Sequence, residues 1–245
     1  MSDKQIDLAV LDMAGTTVED DGLVIRAFEQ AATAAGIPLE GTEREAARQY
    51  VIDTMGQSKI TVFRAILGDE ERAQQANIAF ETAYSEFADA GVTPIPGAAE
   101  AISSLRAAGI KVALTTGFSR GTQDKLLNAL GWNDIADLTL APSDAGRGRP
   151  YPDMVLTALL RLGIEAVDRV AVLGDTTSDI ATGLAAGSRI VAGTLTGAHD
   201  EEQLRAAGAT HVVPSVTEFA QLLLAERARV SAARGDFAPG GGCSE

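Results

Sequence analysis

Cysteine and basic residues are both scarce in this sequence of 245 residues. The single cysteine, Cys243, excludes an intramolecular disulfide, and a metal site built from several thiolates is excluded for the same reason. Lys and Arg together number 20 against 34 Asp and Glu, which gives a formal net charge of -14. Because nucleic acids are bound through clustered cations, this charge argues against a nucleic-acid partner.

Long apolar runs are also absent. No stretch approaches the roughly 20 apolar residues that a membrane-spanning helix needs. The first apolar run ends at Asp12, too early for the apolar part of an export signal. We therefore expect no membrane partner and a cytoplasmic location. Hydrophobic residues still make up 46% of the chain, which at this length is enough for a substantial core.

Short apolar runs alternate with longer segments of helical periodicity from residue 96 onward. This alternation is typical of a parallel sheet with crossover helices on both faces, so we predict a doubly wound, Rossmann-like α/β core. The predicted strands cover residues 6–11, 110–115, 137–140, 169–173, 189–192 and 211–213. The predicted helices of this part cover residues 97–108, 119–130, 151–162, 177–186, 200–206 and 216–227.

The segment 19–93 differs from the rest because its pattern is helical throughout. Its predicted helices cover residues 22–36, 42–54, 58–67 and 70–90. We expect an all-helical cap domain inserted into an α/β core of residues 1–18 and 94–228. Two prolines in the sequence TPIPG mark the return to the core, since proline disfavours helix in the residue before it. Small residues and glycine dominate residues 229–245, and we predict a disordered tail there.

Polar residues close three of the predicted strands. They are acids, one hydroxyl and one glycine, in the residues Asp12, Thr116, Gly117, Asp175 and Asp179. Ligands of open α/β sheets bind outside the carboxyl ends of the strands. Arg149 lies just before a predicted helix, whose start the following proline favours. Acids hold hard cations, while arginine and helix N-termini bind phosphoryl oxygens, so this set predicts a site for magnesium and a phosphoryl group.

Each of these residues also has a purely structural interpretation. An acid at the end of a strand is often a turn or cap residue, and Thr116 is compatible with a cap of the helix that follows it. Asp179 has a further interpretation, in which it orients its neighbours without binding the metal. The ordered occurrence of the whole set at strand ends favours the functional interpretation.

The order of these residues resembles the four sequence motifs of the haloacid dehalogenase superfamily, over residues 1 to about 227. The helical insert likewise resembles the helical cap of that superfamily. The resemblance implies Asp12 as nucleophile and metal ligand, which would form an aspartyl-phosphate. It also implies Asp175 as a second metal ligand, Asp179 as a supporting acid and Mg²⁺ as the cofactor.

The same resemblance implies that Thr116 and the Gly117 amide bind the phosphoryl group and that Arg149 replaces the usual lysine. One position departs from it. Phosphatases of the superfamily carry a second aspartate two residues after the nucleophile, where it protonates the leaving alkoxide. This position is Ala14, whose backbone carbonyl can still bind magnesium. The pattern Asp-x-Ala-Gly-Thr-Thr with an arginine resembles the phosphonatase branch, whose members cleave a carbon–phosphorus bond.

A lysine in the predicted cap extends this resemblance. The sequence from Met55 to Lys59 resembles the phosphonatase motif Met-Gly-x-x-Lys, which implies that Lys59 forms a Schiff base with the carbonyl group of the substrate. It also implies that Met55 and Gly56 contact the substrate. When phosphorus departs to Asp12, the iminium accepts the electrons of the broken bond and becomes an enamine. An acid at position 14 is then not required.

Lys59 has an alternative interpretation. On a helix it shares an apolar stripe with Val62 and Phe63, where a boundary lysine commonly extends its ammonium group to water. In the catalytic interpretation, the same apolar surroundings lower the pKa of the amine and keep more of it nucleophilic. Met55 also has two interpretations, since it either packs against the iminium or belongs to the core of the cap.

Two positions depart from the phosphonatase pattern. Val62 stands where these enzymes carry a histidine suited to proton transfer, and Gly22 stands where they carry a cysteine. We therefore expect proton transfer to differ, and a related 2-oxoalkylphosphonate is a candidate substrate beside phosphonoacetaldehyde. The two histidines offer no replacement, because we expect His199 and His211 in exposed loops or at the edge of the core.

Three other functions are compatible with the fold. A phosphatase of small phosphate monoesters would keep Asp12, but Ala14 argues against it. A haloacid dehalogenase proper would attack carbon and would not need the metal ligand Asp175. A non-catalytic binding module would need none of the acids, whose retention argues against it. For the phosphonatase and the phosphatase alike, the expected partner is a small organophosphonate or phosphate, and an apolar cap helix is compatible with a homodimer.

Overall fold

The computed structural model describes residues 5–89 and 91–234, and in them six parallel strands form one sheet in the order β3-β2-β1-β4-β5-β6. The strands are β1 (Leu8–Asp12), β2 (Lys111–Thr115), β3 (Leu138–Leu140), β4 (Val170–Gly174), β5 (Ile190–Thr194) and β6 (His211–Val213). Each predicted strand has its counterpart, and the predicted doubly wound α/β fold is confirmed.

Helices cover both faces of this sheet and also form the segment between β1 and β2. The helices are α1 (Leu23–Ala34), α2 (Thr42–Asp53), α3 (Lys59–Leu67), α4 (Glu70–Asp89), α5 (Ala98–Ala107), α6 (Arg120–Leu130), α7 (Asp153–Arg161), α8 (Thr177–Ala186), α9 (Glu201–Ala206) and α10 (Val216–Arg234). All residues of β1, β4 and β5 are buried, because a parallel sheet covered on both faces leaves no strand surface in water.

The order of the strands determines where a ligand can bind. β1 pairs with β2 on one side and with β4 on the other, so the chain builds the sheet outward in both directions from β1. The carboxyl ends of β1 and β4 therefore border the switch point of the sheet, the crevice in which open α/β sheets bind ligands. Asp12 is the last residue of β1, and Asp175 directly follows β4.

A column of aromatic rings connects helices α1, α3 and α4 to the sheet. Phe28 stacks on Phe63, whose ring meets Phe80 edge-on. Phe118, in the loop after β2, places its ring centroid 4.3 Å from that of Tyr84 on α4. Aromatic pairs of this kind contribute about 0.5–1.5 kcal/mol each beyond the area that they bury. We call α1–α4 the helical segment. The aromatic column therefore holds the helical segment over the carboxyl edge of the sheet.

The chain enters and leaves this helical segment at one place. The Glu19 N–H donates to the Thr93 carbonyl at 2.9 Å, and Val18 forms an antiparallel bridge with Pro94. The predicted domain boundaries fall on this pair of segments. Buried residues of the helical segment and of the sheet belong to one hydrophobic cluster, and the division into two domains stays a prediction.

The last helix is longer than predicted. We expected it to end at residue 227 and the disordered tail to begin at 229, but α10 continues to Arg234. The sequence RVSAAR of residues 229–234 contains good helix formers and neither glycine nor proline, which explains the correction. The rest of the predicted tail, residues 235–245, lies outside the described residues. None of the described helices is long and apolar enough to cross a membrane.

Gly183 tests the packing of α8 on the sheet. A Cβ at this position would lie 2.8 and 3.0 Å from the two methyl carbons of Val191 on β5. We expect Gly183→Ala to lower the free energy of unfolding by about 1–3 kcal/mol, because the helix must move away from the strand. The control is Gly121→Ala on α6, where a Cβ has its nearest neighbour at 3.9 Å. Alanine should there raise stability by up to about 1 kcal/mol. Urea unfolding measures both, and equal effects would contradict this packing.

Candidate active site

A cavity of about 740 Å³ lies between the carboxyl ends of the strands and the helical segment. Nine of the residues predicted to form the site line it: Asp12, Ala14, Met55, Gly56, Lys59, Thr116, Gly117, Arg149 and Asp175. The structure therefore brings together residues that are up to 163 positions apart (12 to 175) in the chain. Asp179, the remaining member of the predicted set, contacts the cavity residue Arg149.

Three buried carboxylates meet at the base of the cavity. Asp12, Asp175 and Asp179 each place an oxygen within 4.8 Å of the others. Arg149 contacts two of them, since its Nη2 donates to Asp12 Oδ1 at 2.5 Å and its Nε lies 2.9 Å from Asp179 Oδ1. These four side chains carry two uncompensated negative charges when all are ionised, which matches the charge of one divalent cation. Magnesium prefers such hard oxygen donors, so the residues fit this metal.

The electrostatics of these buried groups favour a bound cation. Burial raises the pKa of Asp12 to about 6, although the Arg149 guanidinium opposes the shift. Burial, together with the charges of Asp12 and Asp179, raises the pKa of Asp175 well above its ordinary value. Burial alone would lower the pKa of Arg149, but Asp12 and Asp179 raise it, so the guanidinium stays charged. A cation between the carboxylates relieves their mutual repulsion.

Short-range packing fixes the side chain of Asp175. Thr16 Oγ1 donates to Asp175 Oδ1 at 3.2 Å, and the Ala198 N–H donates to Asp175 Oδ2 at 2.8 Å. The backbone of Gly15 approaches so closely that a Cβ there would lie 2.5 Å from Asp175 Oδ2. Gly197, in the loop after β5, approaches the same carboxylate so closely that a Cβ there would collide with Asp175 Oδ2. Asp175 is therefore held in one orientation by backbone and hydroxyl groups.

Asp179 combines two of its predicted roles. Its Oδ2 accepts hydrogen bonds from the N–H and the hydroxyl of Thr176, at 3.2 and 2.6 Å, which caps α8. Its Oδ1 contacts Arg149, so the cap also orients the guanidinium. Arg149 further donates to Thr115 Oγ1 at 2.9 Å and to the Gly56 carbonyl at 3.3 Å. Thr115 therefore contacts Arg149 in the site, whereas we predicted only the neighbouring Thr116 as a site residue.

Two glycines allow the helical segment to contact the strand ends. A Cβ on Gly117 would lie 2.7 Å from the Gly56 carbonyl oxygen. Gly56 itself has a φ of 85°, and a Cβ there would collide with Thr176 Oγ1. Thr116 is buried beside this contact, where its Oγ1 accepts a hydrogen bond from the Phe118 N–H at 3.2 Å. Thr116, Gly117 and Gly56 thus form one wall of the cavity.

Lys59, the first residue of α3, is buried in the cavity wall, with 8% of its surface exposed. Its Nζ lies 5.6 and 5.5 Å from the ring centroids of Phe80 and Phe118. Burial lowers the pKa of Lys59, and the carboxylates of Asp20 and Asp12 oppose this shift. No carboxylate of the described residues forms a direct ion pair with Nζ. This position differs from that of a boundary lysine whose ammonium group extends into water.

The observed position of His199 differs from the predicted one. We expected an exposed loop or a core edge, but the side chain is buried and lines the cavity. Its Nδ1 accepts a hydrogen bond from the Thr177 N–H at 2.9 Å, which assigns the ring proton to Nε2. The reason is a long-range contact, since the His199 N–H donates to the Asp175 carbonyl and folds this loop over the strand ends. His211 is exposed at the start of β6.

Asp20 is a cavity residue that sequence reasoning missed. Its Oδ1 accepts a hydrogen bond from the Val24 N–H at 3.3 Å. Burial raises its pKa, and the Lys59 ammonium opposes the shift. In the sequence, Asp20 belongs to the acidic run Glu-Asp-Asp, which is typical of a solvated turn. Its position beside Lys59 depends on how α3 packs against the segment before α1, which no local pattern indicates.

Comparison with known proteins agrees with this geometry. Residues 6–187 match the family model of haloacid dehalogenase-like hydrolases. The chain belongs to this family. The predicted membership is confirmed, and the protein is a hydrolase of this superfamily.

The relatives include both phosphonatases and phosphatases. The chain is 30% identical to the phosphonoacetaldehyde hydrolase of Bacillus cereus (strain B4264), over 75% of this chain and 74% of the relative. It is 29% identical to the "Probable phosphatase IndB" of Dickeya dadantii (strain 3937), over 86% and 90%. The crystal structure of a phosphonoacetaldehyde hydrolase-like protein from Oleispira antarctica superposes with a TM-score of 0.77, at 26% identity, over 94% of this chain and 95% of that one.

Substitution of Gly15 tests the placement of the Asp175 carboxylate. We expect Gly15→Ala to weaken the binding of Mg²⁺ by about 10- to 100-fold, because the new methyl group displaces the Asp175 carboxylate. Gly36→Ala is the matched control, since Gly36 has nearly the same φ of 80° against 82° but nothing within 4 Å of a Cβ. Both variants share the backbone strain of a positive φ, and only Gly15→Ala should bind Mg²⁺ more weakly. Isothermal titration with Mg²⁺ measures this, and equal affinities in the two variants would contradict the placement.

Proposed function

We propose that this protein is a magnesium-dependent phosphonatase that cleaves the carbon–phosphorus bond of phosphonoacetaldehyde or a related 2-oxoalkylphosphonate. The observation that carries the proposal is that Asp12 and Lys59 line the same cavity, although β1 supplies one and α3 the other. Position 14 provides no acid side chain for an alkoxide leaving group. A nucleophilic carboxylate and a buried amine together suit a reaction whose leaving group is carbon.

At the phosphoryl end, Asp12 attacks phosphorus in line with the carbon that departs, and an aspartyl-phosphate forms. Arg149, Thr116 and the Gly117 N–H bind the phosphoryl oxygens, with Asp179 orienting Arg149. Mg²⁺, which Asp12, Asp175 and the Ala14 carbonyl would hold, supplies charge neutralisation at the phosphoryl group. Water then hydrolyses the aspartyl-phosphate and restores Asp12.

At the carbonyl end, the neutral amine of Lys59 attacks the carbonyl carbon and gives an iminium after uptake of one proton and loss of water. When the carbon–phosphorus bond breaks, its electron pair forms a carbon–carbon double bond, and the electrons of the C=N bond move onto nitrogen. Burial among aromatic rings lowers the pKa of Lys59 and keeps more of the amine neutral. Met55 and Gly56 also line the cavity, and we infer that they contact the substrate.

The walls of the cavity support a substrate larger than phosphonoacetaldehyde. Apolar side chains line part of the cavity, and they belong to Val24, Ile25, Ile52 and Ile95. Gly22 adds no side chain to this wall, and its position has open space around it. An apolar substituent on the carbonyl carbon would displace water from these side chains, which favours binding. These apolar side chains therefore support a 2-oxoalkylphosphonate with an apolar chain as a candidate substrate.

A phosphatase of small phosphate esters is the second candidate. The relative named "Probable phosphatase IndB" favours it, and this reaction would use Asp12 while leaving Lys59 without a role. Ala14 argues against it. In both cases the partner is a small anionic molecule. The net charge of -14 supports the absence of a nucleic-acid partner, and we retain the proposals of a cytoplasmic location and a homodimer.

Lys59→Arg separates the two candidates. We expect it to lower phosphate release from phosphonoacetaldehyde by about a thousandfold or more, because a guanidinium forms no Schiff base, while any weak ester hydrolysis continues. Asp12→Asn should abolish both activities. Lys111→Arg is the control, since Lys111 is exposed and paired with Asp137 at the opposite end of β2. Equal loss of both activities in Lys59→Arg would contradict the proposed division of labour.

A further inference from the structure

Schiff-base formation at Lys59 needs a proton donor near Nζ. After the amine has added to the carbonyl carbon, the hydroxyl of the carbinolamine leaves as water only when its oxygen receives a proton. Val62, at the position where phosphonatases carry a histidine, is buried. It lines a small apolar pocket beside the stem of Lys59 rather than the main cavity. The proton therefore comes from another side chain.

Titratable and charged groups approach Lys59 from several elements. The groups of the described residues that line a cavity with Lys59 are Asp12, Glu19, Asp20, Asp21, Arg64, Glu81, Arg120, Arg147, Arg149, Tyr151, Asp175 and His199, and Tyr84 lies beside Phe118 in the aromatic column. Most of them already form other contacts. Arg64, Arg120 and Arg147 are paired with Glu70, Asp144 and Asp153, and Tyr151 is exposed. Asp12, Asp175 and Asp179 form a cluster of three carboxylates, the acid cluster, which Arg149 contacts. Glu81 accepts hydrogen bonds from Ser119 and Thr122 at the start of α6.

Of the remaining groups, Asp21 is exposed, and Asp20 rather than Glu19 or Asp21 is the acid whose charge opposes the lowered pKa of Lys59. Tyr84 is fully buried in the aromatic column, where burial raises its pKa. His199 binds the Thr177 N–H through Nδ1. Asp20 is the carboxylate that most strongly opposes the lowered pKa of Lys59, and its Oδ1 accepts a hydrogen bond from the Val24 N–H at 3.3 Å. This backbone bond holds the carboxyl group at the cavity wall, and no side chain of the described residues is hydrogen-bonded to it.

Asp20 and Lys59 line the same cavity, and no direct ion pair joins the two side chains among the described residues, so one substrate bound in the cavity can contact both groups. Burial acts on them in opposite directions. It lowers the pKa of Lys59 and raises the pKa of Asp20, while their mutual attraction opposes both shifts. The pair is thereby brought closer to a neutral amine beside a neutral carboxylic acid, the state that Schiff-base formation requires.

We propose that Asp20 is the catalytic acid and base of Schiff-base chemistry at Lys59, an inference that rests on the proposed function. The Asp20 carboxylic acid, the Lys59 amine and the carbonyl substrate become a carboxylate, an iminium and water. The carbon–nitrogen bond forms, the carbon–oxygen bond breaks with its electron pair on the departing water, and the nitrogen lone pair completes the C=N bond. After carbon–phosphorus cleavage and protonation of the enamine carbon by solvent, water adds to the iminium and its proton returns to Asp20.

The test isolates imine formation in an Asp12→Asn background, in which carbon–phosphorus cleavage is blocked. The protein is incubated with phosphonoacetaldehyde and cyanoborohydride, and the alkylation of Lys59 is followed by mass spectrometry from acidic to alkaline pH. Adding Asp20→Asn should lower the maximal rate by about 100-fold. The rate should be bell-shaped in pH with Asp20 present, because the acid must be protonated and the amine neutral. With Asp20→Asn it should rise to a plateau as Lys59 deprotonates.

Two variants control for charge and folding. Asp21→Asn removes the same charge from an exposed neighbour and should change the rate by less than about threefold. Asp20→Glu restores a carboxyl group and should recover the bell-shaped profile, and an unchanged thermal midpoint in each variant confirms folding. A bell-shaped profile and an undiminished rate in Asp20→Asn overturn the role of Asp20 alone. Absence of any Lys59 adduct in the Asp12→Asn parent overturns the proposed function and this inference with it.

Discussion

The ion pairs of Arg149 with Asp12 and Asp179 hold the centre of this site together. Three carboxylates buried within a few ångströms of one another repel strongly, and such charges persist in a protein interior only when they are paired or hydrogen-bonded. Arg149 supplies one positive charge, the loop after β5 supplies an N–H group to Asp175, and the two charges left over define what the cavity accepts. A divalent cation and a phosphoryl group with a nearby arginine satisfy this arrangement.

Lys59 extends the same constraint to the helical segment. Arg149 donates to the Gly56 carbonyl, and Gly56 in turn packs against Gly117, so the loop before α3 is fixed directly to the acid cluster. Phe118, next to Gly117, belongs to the aromatic column, and its ring centroid lies 5.5 Å from Lys59 Nζ. The position of the amine relative to Asp12 therefore depends on contacts between the helical segment and the strand ends. Side chains of the two parts act on one substrate only because these contacts bring them together.

The sequence predicted the sheet and the proximity of the acids at the strand ends because both depend on local patterns. Buried parallel strands require continuous apolar runs, and the residues that end them are read directly from the chain. Lys59 and Arg149 were identified through their resemblance to known motifs. Asp20, Thr115 and the buried position of His199 escaped prediction, because each depends on contacts between segments far apart in sequence. The end of α10 was missed for a different reason, since alanine-rich composition suits a helix as well as a disordered tail.

In the proposed reaction, Lys59 carries the substrate as a Schiff base while Asp12 accepts the phosphoryl group. The most direct test treats the unmodified, magnesium-loaded protein with phosphonoacetaldehyde and borohydride and then identifies the modified peptide by mass spectrometry. We expect an N-alkylated Lys59 and a matching loss of phosphate release. Phosphate release that borohydride leaves unchanged, with an unmodified Lys59, would rule out the Schiff base and favour a phosphatase.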